Sequence, residues 1–341
     1  MDVDAEPAEP KGPPQPCEHL WFPDGNVVLA TDSLLFKVHK GVLALQSSVF
    51  KDMFELPGAH GLGPSQGQGT DVIVSELYEG LPLVTLVGDD GDEVVHLLRT
   101  AYEREYYQPY EDDASLDTVV SLLKLSTKYD FKQIRKDVVF HISRYYPMDL
   151  KECDEIEENS TIFGLPRARC HDVLLDAAFV AEVDVLLPIL YYACADYQIG
   201  SILNAMDEES INRKCLRTLL EGREKLEGMI VQLVATIPEI ALAGSALTST
   251  VCTSSDGINC LRVQRFTGLK TLTGTASLQR IIGINVCRYL PPATCISCRA
   301  AVESLVEKKR EEIWDAVPSY FGFPDGGWDA LKTKLDEFFA S

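Results

Sequence analysis

The sequence predicts an α+β domain at the N-terminus, followed by a mostly α-helical C-terminal region with a Cys-rich segment. From Val27 to His39, apolar residues alternate with polar ones, and beyond His39 apolar residues recur at helical spacing. Strands followed by helices are typical of an α+β unit. Two long apolar stretches with helical periodicity occupy much of the second half. Five of the ten cysteines lie between Cys252 and Cys298.

Composition and charge narrow the class of protein. The 341 residues are 46% hydrophobic and 24% charged, which is typical of a folded chain of about two domains. A net charge of -21 repels nucleic acid and anionic lipid over most of the surface, so neither is expected as the main partner. The apolar stretches carry charges or proline, so no membrane span is expected, and the N-terminus lacks the pattern of a secretory signal. We therefore expect a cytoplasmic or nuclear protein whose cysteines are thiols or metal ligands.

The first predicted elements are a hairpin and two short helices. Residues 1–17 are acidic and rich in proline, which predicts a disordered tail. The alternation from Val27 to His39 predicts two strands joined by a turn. Apolar residues at helical spacing from Val42 to Phe54 predict two short helices, and Ser47 or Ser48 offers a hydroxyl cap for the second.

A loop, a strand and three helices complete the predicted first domain. Residues 57–69 are rich in Gly, Pro, Ser and Gln, which predicts a mobile loop. A short strand is predicted near Leu83 to Val87. Helices are predicted to begin at Asp92, Ser115 and Asp130, because each offers a side-chain oxygen ahead of an apolar period.

Six acidic residues in ten, from Asp149 to Glu158, predict a solvated linker after the first domain. The region beyond the linker is predicted to be helical, with interruptions at Pro188 and Pro238. The predicted divisions are a tail (1–17), a first domain (18–148), a linker (149–160), a helical region (161–250), a cysteine-containing segment (251–300) and terminal helices (301–341).

Two motifs follow one another in the predicted first domain. The first is H-K-G-V-L-A-L-Q-S-S-V-F-K-D-M-F, from His39 to Phe54, directly after the predicted hairpin. The second is L-S-T-K-Y-D-F followed by I-R, from Leu125 to Arg135. In this order the two motifs resemble those of BTB/POZ domains. The opening L-W-F-P-D-G-N-V, from Leu20 to Val27, is most similar to BTB proteins of mushroom-forming (basidiomycete) fungi. The resemblance covers about Glu18 to Tyr146 and implies a protein-interaction domain without catalysis, in which His39, Leu43, Phe50 and Phe54 fill the core.

One position departs from the family pattern. Lys40 follows the histidine where many BTB domains carry a basic residue paired with a buried aspartate, but Asn26 stands where that aspartate would align. An uncharged amide cannot form the ion pair, so the charged pocket of the family is not expected here.

The resemblance also implies partners. It implies an adaptor that binds proteins through its BTB domain and that associates into a homodimer. Some BTB proteins bind a cullin scaffold of ubiquitin ligases through a hydrophobic-x-Glu triplet, and two triplets here fit that pattern. A cullin-type substrate adaptor is therefore the first alternative. The residues predicted to contact partners lie between the second short helix and the next strand: Leu56, Val74, Glu76, Leu77 and Glu79.

The cysteine spacing predicts a structural zinc site. A Cys-x2-Cys pair can direct two sulfurs to one tetrahedral zinc, and a second pair with seven intervening residues precedes it. No histidine lies beyond His171, so a metal here would be bound by cysteines alone. The fungal relatives tend to carry cysteine pairs in a similar C-terminal region. The alternative is that these cysteines are small buried or surface thiols, with Cys287 outside any site. The predicted ligands are Cys252, Cys260, Cys295 and Cys298.

Two further functions are alternatives to the adaptor. The segment from Asp256 to Arg310 contains nine Lys or Arg and three Asp or Glu, which could mark a nuclear regulator that contacts nucleic acid. The alternative is an internal electrostatic match between this basic segment and the acidic linker or tail. An enzyme is not expected, because Ser65 in its G-x-S-x-G match lacks the flanking strand and helix, and Cys170-His171 has no third partner. The sequence therefore predicts no catalytic and no cofactor-binding residue apart from the zinc ligands.

Overall fold

The computed structural model describes residues 12–55, 72–202, 211–253, 258–262, 266 and 268–340, with the backbone alone at 72–76. The chain divides into two compact units. Unit 1 extends to Ile142 and includes Ile162–Leu165, whereas unit 2 comprises Ser143–Thr161 and Pro166–Ser341. A small mixed sheet in unit 1 and a mostly helical unit 2 agree with the predicted fold class.

Unit 1 is built on a mixed sheet with the strand order β1-β3-β2-β5-β4. Strands β2 and β3 are antiparallel, with Val27 opposite Val38, and β5 pairs with β2 in parallel. Strand β1 is parallel to β3 and begins inside the segment predicted as a disordered tail. The strands are β1 Gln15–Trp21, β2 Val27–Ala30, β3 Leu34–Val38, β4 Val72–Tyr78 and β5 Leu81–Leu86.

The predicted hairpin is confirmed as β2 and β3. Its turn is closed by Thr31, whose Oγ1 accepts hydrogen bonds from the backbone N–H of Ser33 at 3.4 Å and of Leu34 at 3.1 Å. Val27, Val28 and Leu29 are fully buried, because β2 lies inside the sheet with neighbours on both sides.

Two short helices follow, α1 (Lys40–Gln46) and α2 (Ser48–Glu55). Of the two predicted capping residues, Ser47 caps α2, because its Oγ accepts a hydrogen bond from the backbone N–H of Phe50 at 2.9 Å. Leu43, Phe50 and Phe54 are buried as predicted. His39 is only half-buried, and its Nε2 lies 3.2 Å from Asp24 at the surface, so its assignment to the core was wrong in part.

Three helices complete unit 1. Asp90 caps the first by accepting a hydrogen bond from the backbone N–H of Asp92 at 2.9 Å, so the predicted cap at Asp92 was wrong by two residues. Ser115 caps the second helix, as predicted. The third begins at Lys132, two residues after the predicted start at Asp130, which has a left-handed φ of 52°. The helices are α3 Gly91–Tyr102, α4 Leu116–Lys128 and α5 Lys132–Tyr145.

Unit 2 contains most of the remaining helices. Two paired two-residue strands, β6 (Thr161–Ile162) and β7 (Leu165–Pro166), lie at the boundary of the two units. Short 3₁₀ turns occur at Arg167–Arg169, Leu269–Leu272, Leu278–Ile281 and Cys287–Tyr289. The helices are α6 Leu150–Asp154, α7 His171–Val180, α8 Leu187–Ala195, α9 Arg213–Leu247, α10 Gly283–Val286, α11 Ile296–Tyr320 and α12 Gly327–Ala340.

Of the two interruptions predicted at prolines, the one near Pro188 is confirmed, because α7 ends at Val180 and α8 begins at Leu187, whereas the one at Pro238 was wrong. Pro188 lies in the first turn of α8, where its missing N–H has no partner to lose. Pro238 lies inside α9 without ending it. At Gly222 the same helix approaches the Phe321 ring so closely that a Cβ would overlap it.

Among the described residues, one helix is long and apolar enough to cross a membrane by length and composition alone. This helix is α9, whose most apolar window has a mean hydropathy of 1.7. Of that window, 44% is buried inside unit 2. The core helix of a soluble protein passes the same test of length and composition.

The acidic segment predicted as a solvated linker is packed into unit 2. Asp149 caps α6 by accepting a hydrogen bond from the backbone N–H of Lys151 at 2.9 Å. Asp154 lies 2.6 Å from the fully buried guanidinium of Arg310, which also donates to Glu307 and to the backbone carbonyl of Leu278. Asp154 is therefore the partner of a buried cation, which a charge count alone does not reveal, whereas Glu152, Glu155 and Glu157 are exposed.

Residues near the end of the chain hold the start of unit 2. The indole N–H of Trp314 donates to the carbonyl of Met148 at 3.3 Å. The side-chain amide of Gln279 donates to the carbonyl of Cys153 at 2.5 Å. Together with the Arg310–Asp154 pair, these contacts join chain segments that are far apart in sequence.

Candidate metal centre

Four cysteines of unit 2 form one cluster, in which all sulfur atoms lie within 4.8 Å of one another: Cys252, Cys260, Cys295 and Cys298. These are the four residues predicted from the spacing. The Sγ of Cys252 lies 3.5 Å from that of Cys260 and 4.0 Å from that of Cys295. Four sulfurs at about 2.3 Å from a tetrahedral ion are about 3.8 Å apart. The distances in the cluster therefore fit one tetrahedral metal ion.

The Cys-x2-Cys pair lies at the start of α11. Cys295 is the N-cap residue of this helix, and Cys298 is its third residue. The pKa of Cys295 is lowered to about 6, first by the backbone N–H of Thr253 and then by that of Cys298, which both hydrogen-bond to the sulfur. These N–H groups favour the thiolate, which is the form that binds metals.

The other pair follows the end of α9. Thr248 is the C-cap of that helix, and its carbonyl accepts a hydrogen bond from the N–H of Cys252 at 2.9 Å. The backbone N–H of Cys260 in turn donates to the Cys252 sulfur at 3.4 Å. The spacing of seven residues is longer than the two to four residues usual for such pairs, but it still brings both sulfurs to one point.

A polar network joins α9 to the cluster. The hydroxyl of Thr248 lies 3.4 Å from the Sγ of Cys298 and 2.9 Å from the carbonyl of Gly244. The side-chain amide of Asn259 donates to the Thr248 hydroxyl at 2.9 Å and to the carbonyl of Ser245 at 3.1 Å. Thr248 and Asn259 therefore orient the buried side of the cluster. Neither residue is predicted from the sequence.

Burial differs across the cluster. Cys298 is fully buried, and this burial raises the pKa of its thiol to about 12. Cys252, Cys260 and Cys295 are half-buried. A bound cation would offset the cost of a buried thiolate, because a thiol that coordinates a metal loses its proton.

Two other cysteines, Cys287 and Cys170 of the Cys170-His171 pair, lie outside the cluster. The thiol of Cys287 is buried and donates to the carbonyl of Arg299 at 3.4 Å. Burial raises the pKa of Cys170 to about 11, so its thiolate is disfavoured. The ring nitrogens of His171 contact Tyr146 and Glu158 at 2.9 and 2.8 Å. This arrangement lacks an activated nucleophile.

The residues predicted to contact partners lie mainly on an edge strand. Leu56 lies outside the described residues. Val74 and Glu76 belong to β4, whose backbone forms the edge of the sheet beside β5. Leu77, at the end of this strand, is 65% exposed, and Glu79 has a left-handed φ of 50° in the following turn. The segment was predicted as part of a loop, but residues 72–79 form a strand and a turn.

The chemistry of the cluster follows from its donors. Four sulfurs are soft ligands, which suit zinc or iron and are unsuited to magnesium or calcium. Four protein ligands also fill a tetrahedral shell and leave no position open for a substrate. In comparisons with known proteins, no family model, no curated protein and no solved structure matches this chain.

Proposed function

We propose that this chain is a non-catalytic adaptor with a BTB-type protein-binding domain in unit 1 and a zinc-stabilised helical module in unit 2. The observation that carries the first part is the contact between the two BTB-like motifs. Phe50 of the first motif stacks on Tyr129 of the second, with ring centroids 4.9 Å apart, and meets Phe131 edge-on at 6.0 Å. The Ser47 hydroxyl also donates to the carbonyl of Tyr129. Residues that resemble one family at two separate places thus act together in one core.

The position that departs from the family forms a different contact. The side-chain oxygen of Asn26 accepts a hydrogen bond from the backbone N–H of Lys40 at 2.8 Å. The Lys40 ammonium lies over the Phe54 ring, 5.6 Å from its centroid. A neutral amide replaces the ion pair of the family here, so partner binding is proposed to depend on other surfaces of unit 1.

The proposed metal is a structural zinc. It would be held by the four thiolates and would cross-link the end of α9 to the start of α11, which contributes directly to folding. The closed set of four ligands favours this structural role over a catalytic one. Thr248 contacts the Cys298 sulfur and Asn259 contacts Thr248, so both residues would orient Cys298 without binding the metal.

Native mass spectrometry of the full chain tests the zinc proposal. We expect one zinc per chain in a preparation that has not met a chelator, and none in a variant with all four cluster cysteines changed to serine. Cys287→Ser is the matched control, because Cys287 is buried in the same segment but lies outside the cluster. A metal-free chain, or zinc that survives in the four-serine variant, would contradict the proposal.

The same spectra report self-association through unit 1. We expect a homodimer, and we expect Leu77→Asp to weaken it, because Leu77 is exposed at the end of the edge strand β4. Tyr110→Asp is the control, since Tyr110 is also exposed on unit 1, at 72%, and its ring contacts Phe140 of α5. A monomer at micromolar concentration, or equal effects of the two substitutions, would contradict self-association at this edge.

The cullin alternative has one specific observation in its favour. Both hydrophobic-x-Glu triplets, Val74–Glu76 and Leu77–Glu79, lie along the edge strand or its following turn. An edge strand offers unpaired backbone groups to an added chain. Mixing the chain with a cullin N-terminal domain and measuring the mass of the product tests this alternative directly.

The nucleic-acid alternative has less support, because several cations of the basic segment have internal partners. Arg299 donates to the carbonyls of Cys287 at 2.8 Å and Thr294 at 3.0 Å. Arg280 lies 3.2 Å from Asp196, and Arg310 lies beside Asp154. These contacts favour an internal charge match. Binding of the full chain to DNA that weakens steeply with salt would reverse this preference.

A further inference from the structure

Three cysteines of the cluster are the more accessible thiols of unit 2. Cys252, Cys260 and Cys295 are half-buried, whereas Cys298 is fully buried. The other five cysteines of this unit are all buried, and burial raises the pKa of each of their thiols: Cys153, Cys170, Cys194, Cys215 and Cys287. A thiolate is the form of cysteine that attacks an oxidant, so these five thiols should react slowly. Oxidation of unit 2 is therefore directed to the cluster.

Within the cluster, the sulfur of Cys252 has two neighbouring sulfurs within 4.0 Å. Its Sγ lies 3.5 Å from that of Cys260 and 4.0 Å from that of Cys295. A disulfide bond is about 2.0 Å long, so the sulfurs of Cys252 and Cys260 need to approach each other by about 1.5 Å. The Cys298 sulfur instead contacts the Thr248 hydroxyl at 3.4 Å in the interior. Two half-buried sulfurs thus lie close enough to join after a small local movement.

We propose that the cluster is a redox switch, in which a peroxide joins Cys252 to Cys260 in a disulfide and thereby releases the metal. The inference rests on the proposed function, because it assigns a regulation to the same zinc site. The Cys252 thiolate attacks one oxygen of hydrogen peroxide, the O–O bond breaks, and a sulfenic acid and a hydroxide form. The Cys260 thiolate then attacks the oxidised sulfur, and a second hydroxide leaves as the S–S bond forms. The two sulfurs lose two electrons, which the peroxide accepts.

The disulfide removes two of the four ligands. Metal binding needs deprotonated thiolates, and a disulfide has none, so only two protein ligands are left for the ion. The cross-link between the end of α9 and the start of α11 is then lost. The two helices still pack against each other nearby, since a Cβ on Gly244 of α9 would lie 3.7 Å from Val302 and 3.8 Å from Ala301 of α11. We therefore expect oxidation to open the loops at the cluster without unfolding the unit.

Hydrogen peroxide added to the full, zinc-loaded chain tests the inference. A chromophoric chelator follows the release of zinc, and the masses of the intact chain and of its proteolytic fragments identify the disulfide. We expect loss of the zinc, a mass lower by two hydrogen atoms, and a disulfide that joins Cys252 to Cys260. A thiol reductant with added zinc should reverse all three changes. Amide hydrogen exchange should become faster around Cys252 and Cys295 and should stay unchanged around Gly222, in the middle of unit 2.

Cys252→His tests the assigned sulfur, because histidine also binds zinc but cannot form a disulfide. This variant should keep its zinc during an exposure that empties the unchanged chain. Cys287→Ser is the matched control and should lose zinc like the unchanged chain, because Cys287 is buried in the same segment but lies outside the cluster. Cys17→Ser should also lose zinc, which excludes a disulfide between chains through this half-buried thiol of unit 1. The disulfide mapped in the unchanged chain is a test that depends on no variant.

Three results would overturn the inference. The first is zinc that stays bound at a peroxide concentration that already oxidises Cys17. The second is a mapped product other than the Cys252–Cys260 disulfide, such as a disulfide within the Cys-x2-Cys pair or a sulfinic acid. The third is equal loss of zinc from Cys252→His and from the unchanged chain.

The zinc content before oxidation separates this inference from the metal proposal. A chain that contains no zinc but still forms the Cys252–Cys260 disulfide contradicts the metal proposal alone. A zinc-loaded chain that keeps its zinc in peroxide contradicts the redox switch alone.

Discussion

Thr248→Val removes one hydroxyl from the polar network beside the cluster and nearly preserves the shape of the side chain. The hydroxyl contacts the Cys298 sulfur at 3.4 Å, the Gly244 carbonyl at 2.9 Å and the Asn259 amide at 2.9 Å. In a metal-bound state the Cys298 sulfur carries no proton and can only accept a hydrogen bond, so the single O–H of Thr248 would turn to it from the Gly244 carbonyl, which keeps the backbone N–H of Thr248 as a donor. We therefore expect the Thr248 hydroxyl to stabilise the thiolate, and its loss to weaken metal binding.

The size of the effect follows from the kind of contact that is lost. A hydrogen bond to a charged group contributes about 1.5–3 kcal/mol, which corresponds to about 10- to 100-fold in affinity. Loss of a group that orients a metal ligand typically has an effect of the same size. Thr294→Val is the matched control, because Thr294 is also buried and adjoins Cys295, but its hydroxyl has no hydrogen-bond partner among the described residues.

Competition with a chromophoric chelator measures the zinc affinity of each variant. We expect Thr248→Val to bind zinc about 10- to 100-fold more weakly than the unchanged chain. Thr248→Ser should restore most of the affinity, because it keeps the hydroxyl, and Thr294→Val should change it less than about threefold. Equal affinities for the two valine variants would refute the reasoning, since both remove a buried hydroxyl near the cluster and only one removes its contact.

Three further predictions concern the stability of unit 2. Arg310→Met should lower the free energy of unfolding in urea by about 3 kcal/mol, because it leaves two carboxylates without their buried partner, whereas Lys309→Met, from an exposed pair, should change it by less than about 1 kcal/mol. Gly222→Ala should lower the free energy of unfolding by about 1–3 kcal/mol, because the new methyl group would overlap the Phe321 ring. Gly228→Ala on the same helix, with open space around it, should raise the free energy of unfolding by up to about 1 kcal/mol. Equal melting temperatures of the two variants would contradict this packing. Burial lowers the pKa of His171, so on acidification the unfolded state takes up the proton before the folded state does. The free energy of unfolding should therefore decrease as the pH is lowered from about 6.5, by at most about 1.4 kcal/mol per pH unit. This slope should be shallower in His171→Phe.

Local features of unit 1 could be predicted because their causes are local. The hairpin follows from alternation, and the caps at Ser47 and Ser115 follow from a side-chain oxygen placed before an apolar period. The start of α3 was missed because Asp90 and Asp92 both offer a carboxylate, and the backbone decides which one caps. Edge strand β4 was missed because a strand of this kind is defined by its partner rather than by its own pattern.

Unit 2 was harder to predict because its decisive contacts join distant residues. A run of acidic residues usually indicates solvated chain, but Asp154 faces Arg310, which the sequence places 156 residues later. Pro238 was expected to end a helix, yet packing along α9 sustains the helix past it. Neither outcome has a signal within a window of a few residues.

Some residues of the candidate metal site could be predicted from the sequence and others could not. The four cysteines could be predicted because few residue types bind soft metals and their spacing is recognisable. Thr248 and Asn259 could not, because threonine and asparagine are common in loops and only the fold brings them to Cys298. A polar residue within a few positions of a predicted ligand was the only available hint.

The contacts that hold the start of unit 2 have a consequence for synthesis. Met148 and Asp154 leave the ribosome well before Trp314 and Arg310, their partners in the finished structure. At about 5–20 residues per second, the 156 residues between Asp154 and Arg310 take about 8–30 s to add. Unit 1 has all its residues by Leu165 and can fold during this interval. The nascent second half must instead wait with its apolar surfaces uncovered, which makes it the part of the chain most exposed to chaperones and proteases.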